Sequence, residues 1–207
     1  MIPRKKLEML LEKLKEHPEP QVWLEQYTIP ARVAANILYI ACYVYRDIKG
    51  KIIYDLGCGT GRLAIGAAIL GARRVVGVDI DAKALRIARI NSVIADVVNK
   101  VEWILGDIEY LSGKSDVVIQ NPPFGVQKRG ADRKFIVKAL DLGSVIYSLH
   151  KSNEKSRMFI KNLVEEFGGR IDTVICLDLP LRPTFRFHRK RVHVVKVDLY
   201  RIVKEGV

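Results

Sequence analysis

A rigid polar motif follows an apolar run near the middle of the chain, in the sequence SDVVIQNPPFG. A strand cannot continue through Pro122 and Pro123, because proline has no N–H to give to the sheet ladder. The motif therefore holds the Asn121 amide and the Phe124 ring still at the end of a buried strand. Asn-Pro can also simply open a turn, but two prolines directly after a strand favour a catalytic site.

A glycine-rich turn in YDLGCGTGRLAIG is a second candidate site, with Gly57, Gly59 and Gly61 after a short β-branched run. Glycines there let the backbone approach a ligand, and doubly wound folds bind ligands beyond the carboxyl ends of their strands. A dinucleotide fingerprint has glycines at positions one, three and six, but Arg62 stands at position six here. The Walker lysine is also missing, so the spacing disfavours both NAD binding and ATP hydrolysis.

Carboxylates stand at the tips of three consecutive predicted strands, which meet at one edge of a parallel sheet. Asp55 could bind a ligand ammonium, Asp79 both hydroxyls of a ribose, and Asp107 an adenine amino group, with Ile108 packing the ring. Each could instead cap the helix that follows it. We prefer capping for Asp81, and ligand binding for Asp79 because it converges with the glycine turn.

The elements that position these residues alternate along the chain. Leucines at helical spacing predict an amphipathic helix over residues 3–16, and a second helix is predicted over 31–46. From residue 51 strands alternate with helices, which indicates a mostly parallel sheet covered on both faces. We predict an α/β fold with a seven-stranded sheet, an antiparallel C-terminal strand, an N-terminal helical extension over 1–30 and one domain over 31–207.

The formal net charge of +12 on 207 residues indicates an anionic partner. Heat adaptation would explain many charges, but not the excess of one sign. Basic residues with interleaved aromatics follow the NPPF motif and recur in LRPTFRFHRKRVH, which suits phosphate contacts and base stacking on RNA. A solvated loop is the alternative. The candidate RNA-binding residues are Lys128, Arg129, Arg186, His188, Arg189, Lys190 and Arg191.

Cysteine usage and hydropathy indicate the compartment. Cys42, Cys58 and Cys176 show neither metal-ligand spacing nor a disulfide pattern, so we expect no metal and a reducing cytoplasm. The longest apolar stretch, residues 31–45, is too short to span a bilayer, and we expect no membrane association.

The strand–DLGCGTG–helix unit, followed by VDID and GDI, resembles class I S-adenosylmethionine-dependent methyltransferases, which implies their Rossmann-like fold. The NPPF motif is similar to that of amino-methyltransferases. An adenine amine is a poor nucleophile because its lone pair is delocalised into the ring. The Asn121 oxygen and the Pro122 carbonyl can accept its two hydrogens and draw the lone pair out of conjugation, while Phe124 stacks on the base. No strong general base is required, because the methylated ammonium loses its proton to solvent.

The same motif serves enzymes that act on adenine in DNA, on adenine in RNA and on protein glutamine. Methylation of the N5 nitrogen of protein glutamine is one alternative, although the chain has no evident extra domain to hold a protein. A non-catalytic basic RNA-binding protein with a vestigial donor pocket is another. The intact glycine turn with Asp79, Asn121 and Phe124 argues against that second alternative.

A narrower resemblance extends from about residue 22 to the C-terminus. LEQY (24–27), DLGCGTG, VDID, NPPFG, IYSLHK (146–151), FHRKR (187–191) and VDLYRI (197–202) resemble the methyltransferase-like-five family of small-subunit ribosomal RNA adenine N6-methyltransferases. The resemblance implies S-adenosylmethionine as donor and S-adenosylhomocysteine as product. A lid formed by Gln26, Tyr27 and Thr28 would close over the donor. With the residues above, the implied donor site comprises Gln26, Tyr27, Thr28, Asp55, Gly57, Gly59, Thr60, Asp79, Ile80, Asp107, Ile108 and Asn121, and the catalytic motif comprises Asn121, Pro122, Pro123 and Phe124. We expect His150 to be buried and hydrogen-bonded, and not catalytic.

The family also pairs with a small zinc-binding activator protein. The apolar segment VEWIL, residues 101–105, is predicted to be an edge strand without proline. Exposed edges of that kind accept a partner strand. We therefore predict that the activator docks on this strand and protects Trp103.

Overall fold

The computed structural model of the chain describes residues 1–21, 25–124, 131–181 and 193–204. The helices are α1 (Arg4–Glu12), α2 (Ala31–Tyr39), α3 (Arg62–Ile69), α4 (Ala82–Ile94), α5 (Ala131–Leu142) and α6 (Glu154–Glu166). The strands are β1 (Ile52–Leu56), β2 (Arg74–Asp79), β3 (Val101–Leu105), β4 (Ser115–Gln120), β5 (Gly143–Lys151), β6 (Gly169–Leu181) and β7 (His193–Lys204). Helix α2 continues into a π-helical turn, Ile40–Val44, and short 3-10 turns cover Val98–Lys100 and Ile108–Tyr110.

All seven strands form one sheet in the order β3-β2-β1-β4-β5-β7-β6. Strands β1 to β5 pair in parallel, whereas β7 lies antiparallel between β5 and β6. The predicted mostly parallel sheet with an antiparallel C-terminal strand is confirmed. The strand order reverses between β1 and β4, and the glycine turn and the NPPF motif leave the sheet at that reversal.

Two apolar layers cover the sheet. One layer packs α1, α2 and α3 on one face, with Leu11 and Leu38 fully buried, and the other packs α5 and α6 on the opposite face around Ile136 and Val164. The leucines of the first helix therefore pack within the molecule. Within the ranges given above, no helix is long and apolar enough to cross a membrane.

The first helix ends at Glu12, four residues earlier than its leucine pattern predicts. The backbone of Lys15 is taken out of the helix by a buried side chain: its N–H donates to Asn91 Oδ1 at 2.8 Å, and its carbonyl accepts from Asn91 Nδ2 at 3.0 Å.

Candidate active site

A cavity of about 310 Å³ lies where β1, β2, β3 and β4 end. Its walls come from the residues after those strands, from the N-terminal segment before α2, and from the first turn of α5. All twelve residues predicted for the donor site line it, and so does Pro123. Pro122 is buried and is not among the lining residues. Phe124 packs half-buried against the apolar layer, with Lys151 Nζ 6.0 Å from its ring centre.

The glycine turn is fixed to the neighbouring strand by Asp79. Asp79 Oδ2 accepts from the Gly59 N–H at 2.7 Å, and Asp79 Oδ1 accepts from the Asp81 N–H at 2.9 Å. Gly59 has φ of +53°, and a Cβ there would meet nothing within 4 Å, because that side of the residue is open. Burial raises the pKa of Asp79, against the hydrogen bonds that lower it. The turn therefore presents bare backbone and one carboxylate to the cavity.

Asp55 both caps a helix and presents an acceptor to the cavity. Its Oδ2 accepts from the Ala64 N–H on the first turn of α3 at 2.9 Å. Its Oδ1 is buried and has no hydrogen-bond partner within the described ranges. Burial, with a smaller contribution from the nearby Asp79 charge, raises the pKa of Asp55 to about 7. The sequence offers helix capping and ligand binding as alternative roles for Asp55. The structure shows that the two roles are compatible, because each uses a different carboxylate oxygen.

Asn121 is the first residue after β4 and carries the second open acceptor. Its Oδ1 is buried, lines the same cavity and is without a partner in the part of the chain that the structure describes. An unsatisfied buried acceptor costs about 1–3 kcal/mol. These two oxygens fit a ligand that carries an ammonium at one point and an amine hydrogen at another.

Asp107 lies at the far wall of the cavity, paired with a cation that sequence reasoning did not place there. Lys134 Nζ lies 2.6 Å from Asp107 Oδ1 and 3.0 Å from Glu109 Oε2. The backbone N–H of Glu109 also donates to Asp107 Oδ1 at 2.9 Å. Lys134 lies on the first turn of α5, three residues beyond its start, and no local pattern links it to Asp107.

Asp81 caps α4, as predicted, with its Oδ1 accepting from the Lys83 N–H at 2.8 Å. Its other oxygen has a second role that the sequence does not indicate. Asp81 Oδ2 accepts from Gln26 Nε2 at 2.8 Å and lies 3.1 Å from His17 Nε2. His17 also lines the cavity, and sequence reasoning missed it.

His150 is buried and hydrogen-bonded, as expected. Its Nε2 lies 2.7 Å from Ser148 Oγ, which accepts from Gln120 Nε2 at 2.9 Å. Burial lowers the pKa of His150 to about 3, so the ring is neutral and supports the end of β4. Burial also raises the pKa of the Cys58 thiol well above its ordinary value, which makes it a packing residue.

Strand β3 is an edge of the sheet, as predicted, but Trp103 does not face outward from it. The indole N–H donates to Ser92 Oγ at 3.0 Å, and the ring packs where a Cβ on Gly61 or Gly77 would stand. The ring is therefore partly buried within the chain itself, and protection of Trp103 by a docked partner stays a prediction. Ile104 and Leu105 are the exposed apolar residues of the strand, at 40% and 57%.

The seven candidate RNA-binding residues, Lys128, Arg129, Arg186, His188, Arg189, Lys190 and Arg191, lie outside the described residues. Both segments that contain them are joined to strands at the cavity's edge of the sheet. Within the described ranges, no group of three or more His, Cys, Asp or Glu side chains could hold a metal ion.

Comparison with known proteins extends over the whole chain. The rRNA N(6)-adenosine-methyltransferase Mettl5 of Drosophila melanogaster is 34% identical and aligns with 95% of this chain and 94% of its own. An uncharacterised protein of Methanocaldococcus jannaschii is 42% identical over 100% of this chain and 96% of its own. The crystal structure of a candidate RNA methyltransferase from Pyrococcus horikoshii superposes with a TM-score of 0.91 at 38% identity, covering 99% of this chain and 98% of its own.

Two further matches concern residues 22–122 and the fold. The family model described as ribosomal protein L11 methyltransferase (PrmA) matches residues 22–122. A magnesium protoporphyrin IX methyltransferase from Synechocystis with bound S-adenosylmethionine superposes with a TM-score of 0.63 at 19% identity, covering 84% of this chain and 81% of its own. The fold is that of S-adenosylmethionine-dependent methyltransferases.

Proposed function

Since the chain belongs to the METTL5-like family of rRNA N6-adenosine methyltransferases, we propose that it transfers a methyl group from S-adenosylmethionine to the N6 amine of an adenine in small-subunit ribosomal RNA. S-adenosylhomocysteine would be the second product. The observation that carries the proposal is the buried Oδ1 of Asn121 on the cavity wall, for which the described residues offer no hydrogen-bond partner.

Asn121 and Pro122 would hold the target amine. The Asn121 oxygen and the Pro122 carbonyl accept its two hydrogens, which localises the nitrogen lone pair and directs it into the cavity. Pro122 and Pro123 hold both acceptors in place before any RNA binds. Phe124 offers a stacking face to the base. The buried, neutral His150 supports this arrangement from the end of β4, and the amine proton leaves to solvent.

The cavity would hold the methyl donor with the twelve predicted residues that are among those lining it. The donor supplies a methyl group on a positively charged sulfur. Asp55 would accept from the donor's ammonium through Oδ1, Asp79 from ribose hydroxyls, and Asp107 from the adenine amino group beside Ile108. Residues 1–30 would then act as a helical extension and lid, and residues 31–207 as the catalytic domain.

The RNA would be held by two basic segments of the sequence, one directly after the NPPF motif and one before β7. The net charge of +12 supports an anionic partner. Lys128, Arg129, Arg186, His188, Arg189, Lys190 and Arg191 are the proposed contacts. A paired adenine would have to leave its stack to reach Asn121.

A protein substrate is the second candidate, and one observation favours it. The ribosomal protein L11 methyltransferases of Tolumonas auensis and Vibrio campbellii are 41% and 43% identical, but over only 75 residues, 36% of this chain. That likeness covers a minority of the chain and about a quarter of those proteins, whereas the relatives named for rRNA match nearly the full length. The RNA proposal therefore has the stronger support.

A small zinc-binding activator protein would dock on β3. The strand is an edge of the sheet with exposed apolar side chains at Ile104 and Leu105. Further exposed apolar residues lie on and after α4, namely Ile90, Val93, Ile94 and Val98. Exposed apolar side chains on an open strand edge suit strand addition.

The experiment offers donor labelled in the methyl group to small-subunit rRNA, large-subunit rRNA, ribosomal proteins and DNA separately, with and without the co-expressed activator. Nucleosides and amino acids are then separated and identified by mass. Label in N6-methyladenosine from small-subunit rRNA supports the proposal. Label in glutamine, or label in no substrate by a protein that binds the donor with activator present, would overturn it.

A further inference from the structure

The N-terminal strap, which the structure describes over residues 13–21 and 25–30, lines the donor cavity and is held through its backbone near its start and near its end. Near its start, Asn91 bonds both the N–H and the carbonyl of Lys15. Near its end, Arg62 Nη1 donates to the Ile29 carbonyl at 2.6 Å. Both anchoring side chains are buried, Asn91 fully. The two ends of the strap are therefore fixed to α3 and α4.

Between these anchors, two described side chains of the strap, His17 and Gln26, converge on Asp81, and Lys83 Nζ donates to Glu19 Oε2 at 3.0 Å. The Glu19 N–H donates to His17 Nδ1 at 3.0 Å, which leaves the His17 Nε2–H to donate to Asp81 Oδ2. Gln26 Nε2 donates to the same oxygen, while Gln26 Oε1 accepts from the Gln21 N–H at 2.8 Å. One carboxylate oxygen thus joins both described halves of the strap.

The segment at the end of β2 that carries Asp81 also carries Asp79, the residue proposed to bind the ribose hydroxyls. The Asp81 N–H donates to Asp79 Oδ1, and Asp79 Oδ2 fixes the glycine turn through Gly59. His17, Gln26 and Asp79 all line the cavity. Asp81 is 7% exposed and the His17 side chain 4%, so this polar cluster is shielded from water.

We propose that Asp81 and His17 are positioning residues that latch the strap over the methyl donor by fixing Gln26. The inference rests on the proposed function. Because the anchors at Asn91 and Arg62 bind backbone independently of Asp81, the latch can open without release of the ends. Its opening then sets the rate at which donor and product leave the cavity.

Asp81→Asn tests the latch while keeping the helix cap. The asparagine Oδ1 can still accept from the Lys83 N–H, because Asn caps helices as well as Asp does. Its Nδ2 group, however, would replace Asp81 Oδ2 and face the donors His17 Nε2 and Gln26 Nε2 with hydrogens of its own. We expect S-adenosylhomocysteine to dissociate about tenfold faster by stopped flow, with association changed less than about twofold, since a lost contact acts mainly on dissociation. Amide hydrogens of residues 17–21 and 25–29 should exchange faster, with β1 to β5 unchanged.

A second pair of variants keeps the test decisive if Asp81→Asn folds poorly. His17→Phe keeps a ring but loses the donor and should raise the dissociation rate, whereas His17→Gln keeps an N–H donor and should restore most of the affinity. Asp81→Asn and Gln26→Ala combined should cost about as much as either alone, because both remove one coupled contact. Asp141→Asn removes an exposed charge elsewhere and serves as the control.

The outcomes separate the two proposals. If the wild-type protein fails to bind S-adenosylhomocysteine by calorimetry, the proposed function falls and the latch falls with it. If the wild type binds, but the Asp81 and His17 variants match its dissociation rate or add independently to Gln26→Ala, only the latch is overturned.

Discussion

The Oδ1 atoms of Asp55 and Asn121 are both buried, both belong to residues that line one cavity, and neither has a partner among the residues that the structure describes. They stand at the ends of adjacent parallel strands, β1 and β4. Asp55 can be ionised and suits an ammonium, whereas the Asn121 amide oxygen suits a neutral amine. The pair divides the cavity into a charged donor end and an uncharged reacting end.

Asn121→Ala should lower the methyl-transfer rate by about 10²–10³, the usual loss when one preorganised polar group is removed. Donor affinity should fall only a few-fold, because Asp55, Asp79 and the glycine turn remain. Single-turnover kinetics and calorimetry measure the two effects separately. Asn99→Ala, at an exposed position outside the cavity, is the matched control. Normal turnover of the Asn121 variant would remove this residue from its proposed role.

The stability of the wild type should fall as pH rises from about 4 to about 7, relative to Asp55→Asn. Burial raises the pKa of Asp55 to about 7 in the folded chain, so the folded state holds a proton that the unfolded state, with its ordinary pKa near 3.8, releases. Above pH 7 the charged, buried carboxylate destabilises the fold by up to about 4 kcal/mol. Urea denaturation at several pH values measures the difference. Asp55→Asn showing no gain at high pH would contradict the raised pKa.

Donor affinity should increase with pH over the same range. The proposed ammonium contact requires an ionised Asp55, and ionisation is complete only above a pKa of about 7. Calorimetric titration with S-adenosylhomocysteine between about pH 5 and pH 7 measures it. Asp55→Asn should bind weakly at every pH, so a wild-type slope that persists in this variant would assign the titration to another group.

Leu105→Lys should weaken the activator complex while leaving the isolated chain folded. Leu105 is 57% exposed on the edge strand, so a lysine there is solvated in the isolated chain and loses that solvation only when a partner binds. Trp103→Lys is unsuitable, because removal of this packed ring costs about 3–5 kcal/mol of stability with or without a partner. Val174→Lys, exposed on the opposite edge strand β6, is the matched control. Equal co-purification of the Leu105 and Val174 variants would move the interface away from β3.

Arg189→Glu combined with Arg191→Glu should weaken RNA binding, most strongly at low salt, because phosphate contacts release counterions. Each lost contact should reduce the slope of log affinity against log salt by about 1. Binding titrations between about 50 and 200 mM salt measure the slope. Lys6→Glu with Lys13→Glu, exposed in the N-terminal region, makes the same charge change and is the control. Unchanged RNA affinity at low salt would place the contact elsewhere.

The sequence by itself determined the sheet, its single antiparallel strand and the strand ends that form the cavity. Apolar runs with a period of two or 3.6 residues, interrupted by glycine and proline, specify local structure. Parallel strands then bring their carboxyl ends to one edge of the sheet, independently of the conformation of the loops. Asp55, Gly57, Asp79, Asp107 and Asn121 could therefore be placed together without coordinates.

Only the tertiary structure decided which side chains hold one another. His17 and Asp81 are 64 residues apart, and Lys134 and Asp107 are 27 apart. The inward turn of Trp103 depends on the bare backbone of Gly61 and Gly77, on two other segments. Such contacts follow from packing and from the path of the strap between its two anchors. Local periodicity does not encode them, because each contact joins two single residues from distant parts of the sequence. The role of either residue is defined only once folding has brought the two together.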